Sequence, residues 1–189
     1  MATRTRPFIR LTPLRLLVGT LVIGALLFGS LTLFARSWTP SRARFPSQGI
    51  FLTAQSGEVN WRMARAAGAD FAYLLATSGA GGRDPAFDGY LAGVRQSALR
   101  YGAVHRYDIC QQASGQATRF IATVPRDAAM LPPVVQLDFS PACTKRPSRD
   151  TLLAELNTFL NQIETHAAKP ALLRISHEFE AEYDVASGI

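Results

Sequence analysis

The sequence predicts an α/β fold in which strands and helices alternate to build a parallel sheet, with one apolar helix in front of it. Two observations carry this prediction. Leu16–Ala35 is an uncharged apolar run. After residue 48, short apolar runs alternate with longer segments of helical spacing, and such alternation is typical of parallel sheets with crossover helices.

The apolar run is long enough to cross a bilayer, because about 20 apolar residues span the hydrocarbon core. Arginines flank it on both sides, at Arg4, Arg6, Arg10 and Arg15, and at Arg36, Arg42 and Arg44. The positive-inside rule places residues 1–15 in the cytoplasm. A cleaved signal peptide is the alternative, but its apolar core is usually shorter. We therefore predict a retained signal-anchor at residues 16–35, a linker at 36–48 and a domain at 49–189.

The basic charge of the chain belongs to its first part. Residues 1–44 contain seven arginines and no acid, whereas residues 45–189 contain 13 basic and 14 acidic residues. The domain has no basic stripe, so we predict no nucleic-acid partner. It also shows no glycine-rich phosphate loop and no His/Cys cluster, so we predict no cofactor and no metal.

Local spacing places the individual elements of the domain. The predicted strands are Gly49–Thr53, Phe71–Thr77, Ala103–Tyr107, Val134–Phe139 and Ala171–Ser176. The predicted helices are Asn60–Ala67, Pro85–Tyr101, Gln111–Val124, one that follows an N-cap at Ser148, and one that starts at His177. Glycines at 68 and 102 close the first two of these helices.

Polar side chains follow every predicted strand. Because sites in parallel α/β folds form at the carboxyl ends of strands, these side chains should meet on one face. They are Thr53, Thr77, Ser78, His105, Tyr107, Asp108, Gln136, Asp138, Ser140, Arg174 and Ser176. Strand alternation places Gln136 and Asp138 on the same side of their strand.

The two cysteines, Cys110 and Cys143, both follow predicted strands in the part of the chain expected to be exported. Disulfides persist in oxidising compartments, so a bridge between them is predicted. Two unpaired thiols are the alternative. Their spacing is not that of a zinc site.

Six segments, taken together, resemble glycoside hydrolase family 25, the lysozyme-like muramidases. They are GIFLTAQSGEVNW (49–61), FAYLLATSG (71–79), DPAF (84–87), GAVHRY (102–107), LPPVVQLDFSPAC (131–143) and KPALLRIS (169–176). The resemblance runs in order over about residues 49–185. It implies a flattened, irregular (β/α) barrel of TIM-like type. With no counterpart of the family's last strands, that barrel would be truncated to about five β/α units and incomplete at the C-terminus.

The resemblance also implies a substrate and a location. The family cuts the β-1,4 bond after N-acetylmuramic acid in peptidoglycan, so peptidoglycan or a related polysaccharide is the expected partner. Together with the apolar segment, this predicts a single-pass protein of a bacterial inner membrane. Its C-terminal domain would lie in the periplasm or outside the cell.

Several positions depart from the family pattern. Phe51 replaces the Asp of the first strand, Leu75 and Ser78 replace the Lys and Glu of the second, and Arg174 replaces a later Tyr. Gln136 and Asp138 replace the Asp-x-Glu pair. Glycoside hydrolysis normally uses an acid and a second carboxylate. The resemblance therefore implies weak activity, or none.

We predict Asp138 as the catalytic acid, supported by Gln136 and His105. Phe51, Ser78, Tyr107 and Arg174 are predicted to contact substrate. Asp is shorter than Glu by about 1.5 Å, and a displacement of about 1 Å can cost roughly 10²-fold in rate. Two hypotheses remain: a weakly active membrane-anchored glycosidase, or a catalytically inactive glycan-binding or scaffold domain.

Structural alternatives exist for each of these residues. Asp138 could cap the loop near Ser140. His105 could be a hydrogen-bonded interior histidine. Arg174 could pair with Asp138, and Phe51 could belong to the core.

Overall fold

A computed structural model describes residues 13–38 and 40–189. Arg4, Arg6 and Arg10 of the predicted cytoplasmic segment lie outside the described residues. The chain divides into two compact units, Met1–Pro46 and Ser47–Ile189. The first contains helix α1 (Pro13–Ser37), and within it Leu16–Ala35 is long and apolar enough to cross a membrane.

The second unit is an α/β domain built on a six-stranded sheet. Its strands are β1 (Gly49–Leu52), β2 (Phe71–Ser78), β3 (Gly82–Arg83), β4 (Arg100–Tyr107), β5 (Val134–Leu137) and β6 (Leu172–Ile175). Its helices are α2 (Trp61–Ala66), α3 (Phe87–Arg95), α4 (Ala113–Thr123), α5 (Arg149–Ala167) and α6 (His177–Tyr183). Two 3₁₀ turns lie at Ala54–Ser56 and Val185–Ser187.

Five strands run parallel in the order β1-β2-β4-β5-β6, which is also their order along the chain. The short strand β3 pairs antiparallel with the end of β2. The predicted parallel α/β sheet is therefore confirmed. Strand β3 was not predicted, because two residues are too few to show a strand pattern in the sequence.

Side-chain caps fix where three helices begin. Asn60 Oδ1 accepts a hydrogen bond from the Met63 amide at 3.0 Å, at the start of α2. Ser148 and Ser176 take the same role for α5 and α6. Each cap satisfies one of the backbone N–H groups that a helix start leaves without a partner. The predicted cap at Ser148 is confirmed.

The helix predicted over Pro85–Tyr101 is shorter than predicted. It ends at Arg95, because the Ser97 hydroxyl donates to the Val94 carbonyl at 2.7 Å and accepts from the Leu99 amide at 3.2 Å. Arg100 already pairs in β4, and Ala98 is exposed. Ala98 therefore lies outside the helix, and it matches the helical spacing only by coincidence.

The two faces of the sheet have different environments. One packs against the helices and forms the core, which includes Leu74, Val135 and Leu137 from the strands and Phe120, Leu156, Phe159 and Ile163 from the helices. The opposite face, called the concave face here, carries Phe51, Leu75, Val104, Arg106, Gln136 and Arg174. These residues alternate along each strand with the core residues.

An irregularity in β2 changes which face its last residues meet. Leu75 pairs with Val104, but the next pair along is Thr77 with His105, so Ala76 is an extra residue. This bulge turns Thr77 toward the helices and Ser78 toward the concave face.

The sheet curls strongly about its concave face. The Arg174 guanidinium, on the last strand, lies 5.5 Å from the ring centroid of Phe51, on the first strand. In a flat sheet four strand spacings would separate these backbones by about 19 Å, which these two side chains could not bridge. The edges are therefore drawn toward each other, as in a half-barrel.

Candidate functional site

A pocket of about 330 Å³ opens at the carboxyl ends of β2, β4 and β5. Nine residues line it: Ser78, Arg106, Tyr107, Asp108, Gln136, Asp138, Phe139, Ser140 and Pro141. Six of them belong to the polar clusters that the sequence placed at these strand ends. Thr53, Arg174 and Ser176 do not line this pocket.

Gln136 and Asp138 both line the pocket. They lie on the same side of the chain as it leaves β5, and Gln136 Nε2 donates a hydrogen bond to Asp138 Oδ2. A carboxylate can only accept, so the amide nitrogen must face it. The amide oxygen, Oε1, is then left buried without a partner, on a residue that is only 7% exposed. Such an acceptor is costly to leave unpaired, which favours a ligand N–H or O–H at this point.

A second carboxylate, Asp108, lies in the same pocket. Its Oδ1 accepts from the Cys110 amide at 2.8 Å, and its Oδ2 accepts from Gln111 Nε2 at 2.6 Å. Sequence reasoning placed Asp108 in the polar cluster after β4 but gave it no role in the site. Its position directly after a strand that also carries His105 and Tyr107 could have indicated that Asp108 belongs to the site.

A disulfide joins the two loops that carry these carboxylates. Cys110 and Cys143 are bonded, with their Cα atoms 5.7 Å apart, so the predicted bridge is confirmed. It links the loop after β4, with Asp108, to the loop after β5, with Asp138. Asp108 and the two sulfur atoms also lie close enough together to surround a metal ion. Sulfur atoms in a disulfide are not thiolate ligands, however, so this cluster does not make a metal site.

His105 lies inside the core, beneath the pocket. It is fully buried, and its Nε2 lies 3.1 Å from Gln116 Oε1, while Nδ1 lies 2.7 Å from Thr77 Oγ1. The amide oxygen only accepts, so the Nε2 atom carries the proton and the threonine hydroxyl donates to Nδ1. Burial lowers the pKa of His105 from 6.5 to about 4, against the opposing effect of the Gln116 hydrogen bond. The ring is therefore neutral and fully hydrogen-bonded, which is the interior arrangement considered from the sequence.

Tyr107 is similarly enclosed. It is 3% exposed, and its ring centroid lies 5.3 Å from that of Phe159 in the core. Burial raises the pKa of its hydroxyl, and the Glu155 and Asp108 carboxylates add to this effect. Most of the ring is thus unavailable for stacking on a sugar, although the residue contributes to the pocket wall.

Phe51 and Arg174 face each other on the concave face, beside the pocket. Phe51 is 38% exposed and lies outside the core cluster. The alternative that Phe51 belongs to the core is therefore wrong. Arg174 lies against the Phe51 ring, and within the described part of the chain it makes no ion pair with Asp138. Both side chains are accessible to a ligand.

Comparison with protein families matches residues 52–188 to the family described as "Glycosyl hydrolases family 25". The search of curated proteins finds no significant match.

Similar solved structures include a family 25 glycosyl hydrolase from Bacillus anthracis, at 25% identity and a TM-score of 0.69, covering 72% of this chain and 64% of that one. A bacterial lysozyme from Streptomyces coelicolor is 22% identical, with a TM-score of 0.68, and the match covers 75% of this chain and 67% of that one. The autolysin LytC from Streptococcus pneumoniae, solved with a synthetic peptidoglycan ligand, is 12% identical, with a TM-score of 0.60, and the match covers 74% and 36%.

This chain thus spans about two thirds of the length of the first two of these proteins. The matched residues include every strand that contributes to the pocket. On the strength of the family match over most of its length, the chain belongs to glycosyl hydrolase family 25.

Proposed function

We propose that the family 25 domain of this protein binds peptidoglycan and slowly hydrolyses the β-1,4 bond after N-acetylmuramic acid. The observation that carries this proposal is the pocket in which Gln136 holds Asp138 at the carboxyl ends of the strands. Family membership supports the reaction class. Of the two carboxyl groups in the pocket, we assign Asp138 as the acid, because both oxygens of Asp108 already accept hydrogen bonds from the protein.

In the proposed reaction, protonated Asp138 gives its proton to the glycosidic oxygen as the C–O bond breaks. The acetamide carbonyl oxygen of the substrate attacks the anomeric carbon in place of a protein nucleophile, as in substrate-assisted glycosidases. Water then displaces that oxygen from the anomeric carbon, and a proton of the water passes to the ionised Asp138, which restores the acid. Gln136 Oε1 would accept a hydrogen bond from the acetamide N–H and orient that group. His105 would act as a positioning residue, because its two ring nitrogens tie β4 to β2 and α4.

Two features of the site make the expected rate low. Asp138 is one bond shorter than the Glu of the family, and a displacement of about 1 Å costs roughly 10²-fold. The concave face also has Phe51 and Leu75 where the family pattern has charged side chains. Loss of a general base costs about another 10²–10⁴-fold.

We also propose a membrane-anchored location. Leu16–Ala35 would cross a bacterial inner membrane once, and residues 36–48 would link it to a domain in the periplasm or outside the cell. The Cys110–Cys143 bridge supports an oxidising compartment for that domain.

A non-catalytic glycan-binding role is the second candidate. One observation favours this role: Gln136, which cannot act as a base, already donates a hydrogen bond to one carboxylate oxygen of Asp138. A domain of this kind would keep the pocket and bind peptidoglycan without cutting it.

The test is release of reducing ends from purified peptidoglycan by the full-length chain in detergent micelles. Asp138→Asn is compared with wild type and with Asp150→Asn, which changes an exposed carboxylate in the first turn of α5. Loss of release with the first variant alone supports hydrolysis. If both variants match wild type, catalysis by Asp138 is excluded, and co-sedimentation with peptidoglycan then tests the binding role.

A further inference from the structure

Two arginines flank Gln136 on neighbouring strands. In the sheet register Gln136 pairs with Arg106 on β4 and with Arg174 on β6. Residues in register on parallel strands point to the same face, so all three side chains lie on the concave face. Strand spacing puts the two arginine backbones about 10 Å apart. Side chains of this length can converge on one ligand group between them.

Neither guanidinium is neutralised within the described part of the chain. Both arginines are exposed, and the ion pairs there involve Arg83, Arg95 and Arg149 instead. Arg174 lies over the Phe51 ring, and stacking of this kind uses the flat face of the guanidinium. A guanidinium that stacks in this way keeps the N–H groups at its edge available to an oxyanion.

Within the described part of the chain, neither acid of the pocket forms an ion pair with these arginines. Asp138 accepts from Gln136, and Asp108 accepts from the Cys110 amide and the Gln111 side chain. These bonds hold the two carboxylates, and neither is paired with an arginine. Gln136, whose strand lies between those of the two arginines, also has a buried amide oxygen without a partner.

We propose that Arg106 and Arg174 form an oxyanion-binding pair around Gln136, which selects glycans that carry both a carboxylate and an amide N–H. Guanidinium groups bind carboxylates in bidentate fashion, and the amide N–H would satisfy Gln136 Oε1. The inference rests on the proposed function, since it names which glycan the same concave face prefers. Neutral polymers of N-acetylglucosamine offer the amide N–H but no carboxylate.

Two parts of peptidoglycan could supply the carboxylate. One is the lactyl group of N-acetylmuramic acid, which is free only where the stem peptide has been removed. The other is the stem peptide itself. The shared chemistry is a carboxylate within reach of an N-acetyl group, and separate probes distinguish the two sources.

The experiment measures binding of the full-length chain, in detergent micelles, to three soluble glycans. The first is glycan strands stripped of stem peptides, with free lactyl carboxylates. The second is the same strands after conversion of those carboxylates to neutral methylamides. The third is glycan strands with intact stem peptides. Arg106→Gln, Arg174→Gln and the double variant are compared with Arg62→Gln, which changes an exposed arginine on α2.

A charged hydrogen-bonded contact corresponds to roughly 10- to 100-fold in affinity. Wild type and Arg62→Gln should therefore bind a carboxylated glycan at least 10-fold more tightly than the neutral strands, and less so as salt rises. The double variant should bind all three glycans alike. Preference for stripped strands identifies the lactyl carboxylate, and preference for intact stems identifies the peptide.

Equal binding of carboxylated and neutral glycans by wild type would overturn the inference, as would unchanged discrimination in the double variant. If either of these outcomes is found while release of reducing ends still depends on Asp138, the inference about the arginines fails and the proposed function stands. Absence of binding to every glycan removes both. Unchanged unfolding midpoints for the arginine variants establish that lost discrimination reflects lost contacts.

Discussion

The hydroxyl of Thr77 lies 2.7 Å from Nδ1 of His105, so a side-chain hydrogen bond joins β2 to β4 inside the core. On its other side the ring meets Gln116, whose amide also bonds the backbone of Asp108 and Gln111. The network thus runs from the strands to the loop that forms one wall of the pocket.

Thr77→Val should lower the free energy of unfolding by about 1–3 kcal/mol, because it leaves Nδ1 of a buried ring without a donor. Urea unfolding followed by circular dichroism measures the change. Thr118→Val is the matched control, since its exposed hydroxyl bonds only the Ser114 carbonyl within α4. Equal effects from the two substitutions would contradict a special role for the Thr77 bond.

The stability of the domain should fall as the pH drops from 7 to 5. The pKa of His105 is about 4 in the folded state, against 6.5 ordinarily, so in this range the unfolded chain takes up a proton that the folded domain does not. Between pH 7 and pH 5, protonation of His105 in the unfolded chain should lower the free energy of unfolding by about 2 kcal/mol. The stabilisation by the neutral His105 ring is present above pH 6.5, the pKa in the unfolded chain.

Urea unfolding at pH 7 and pH 5 checks this expectation. His105→Gln should be less stable at pH 7 but should lose about 2 kcal/mol less on acidification. His177→Gln, at an exposed position on α6, should keep the wild-type dependence. A wild-type slope in His105→Gln would assign the effect to other groups.

Removal of the disulfide through Cys110→Ala with Cys143→Ala should lower the free energy of unfolding by about 3–4 kcal/mol in the chain-entropy model. The bridge restricts the unfolded chain over a sequence separation of 33 residues. Guanidinium unfolding measures the difference. Treating wild type with dithiothreitol should give the same curve, and treating the double variant should change nothing.

Restoring the carboxylates of the family pattern should increase activity. Phe51→Asp, Gln136→Asp and Asp138→Glu, combined, return the acid to its full length and add a base, which corresponds to about 10²-fold or more in reducing-end release. A version with Asp138→Gln in place of Asp138→Glu should show no gain. No gain with the full triple substitution would mean that the concave face does not hold the substrate correctly.

Spacing and caps were sufficient to predict the parallel sheet, the start of α5 at Ser148 and the disulfide. These features depend on local chemistry or on compartment, both of which a single sequence carries. The end of α3 could not be predicted, because it depends on where the Ser97 hydroxyl finds partners and on the pairing of Arg100 with its neighbouring strand.

The site was predictable in its location but only partly in its content. Gln136 and Asp138 lie side by side as their spacing indicates. Asp108 was not assigned because its approach to the pocket depends on how the loop after β4 folds, and the Cys110 amide fixes that fold. Phe51 is exposed because it lies on the concave face and outside the core, and which side of a short strand meets the helices is a long-range property that no local pattern encodes.

The extra residue at Ala76 limits how β2 can change in length. One residue more or fewer before Thr77 would turn its hydroxyl away from His105 and, in the same step, turn Ser78 away from the ligand side. Interior and surface would be damaged together. Insertions and deletions in natural variants should therefore accumulate in exposed stretches such as 144–146 and spare this strand.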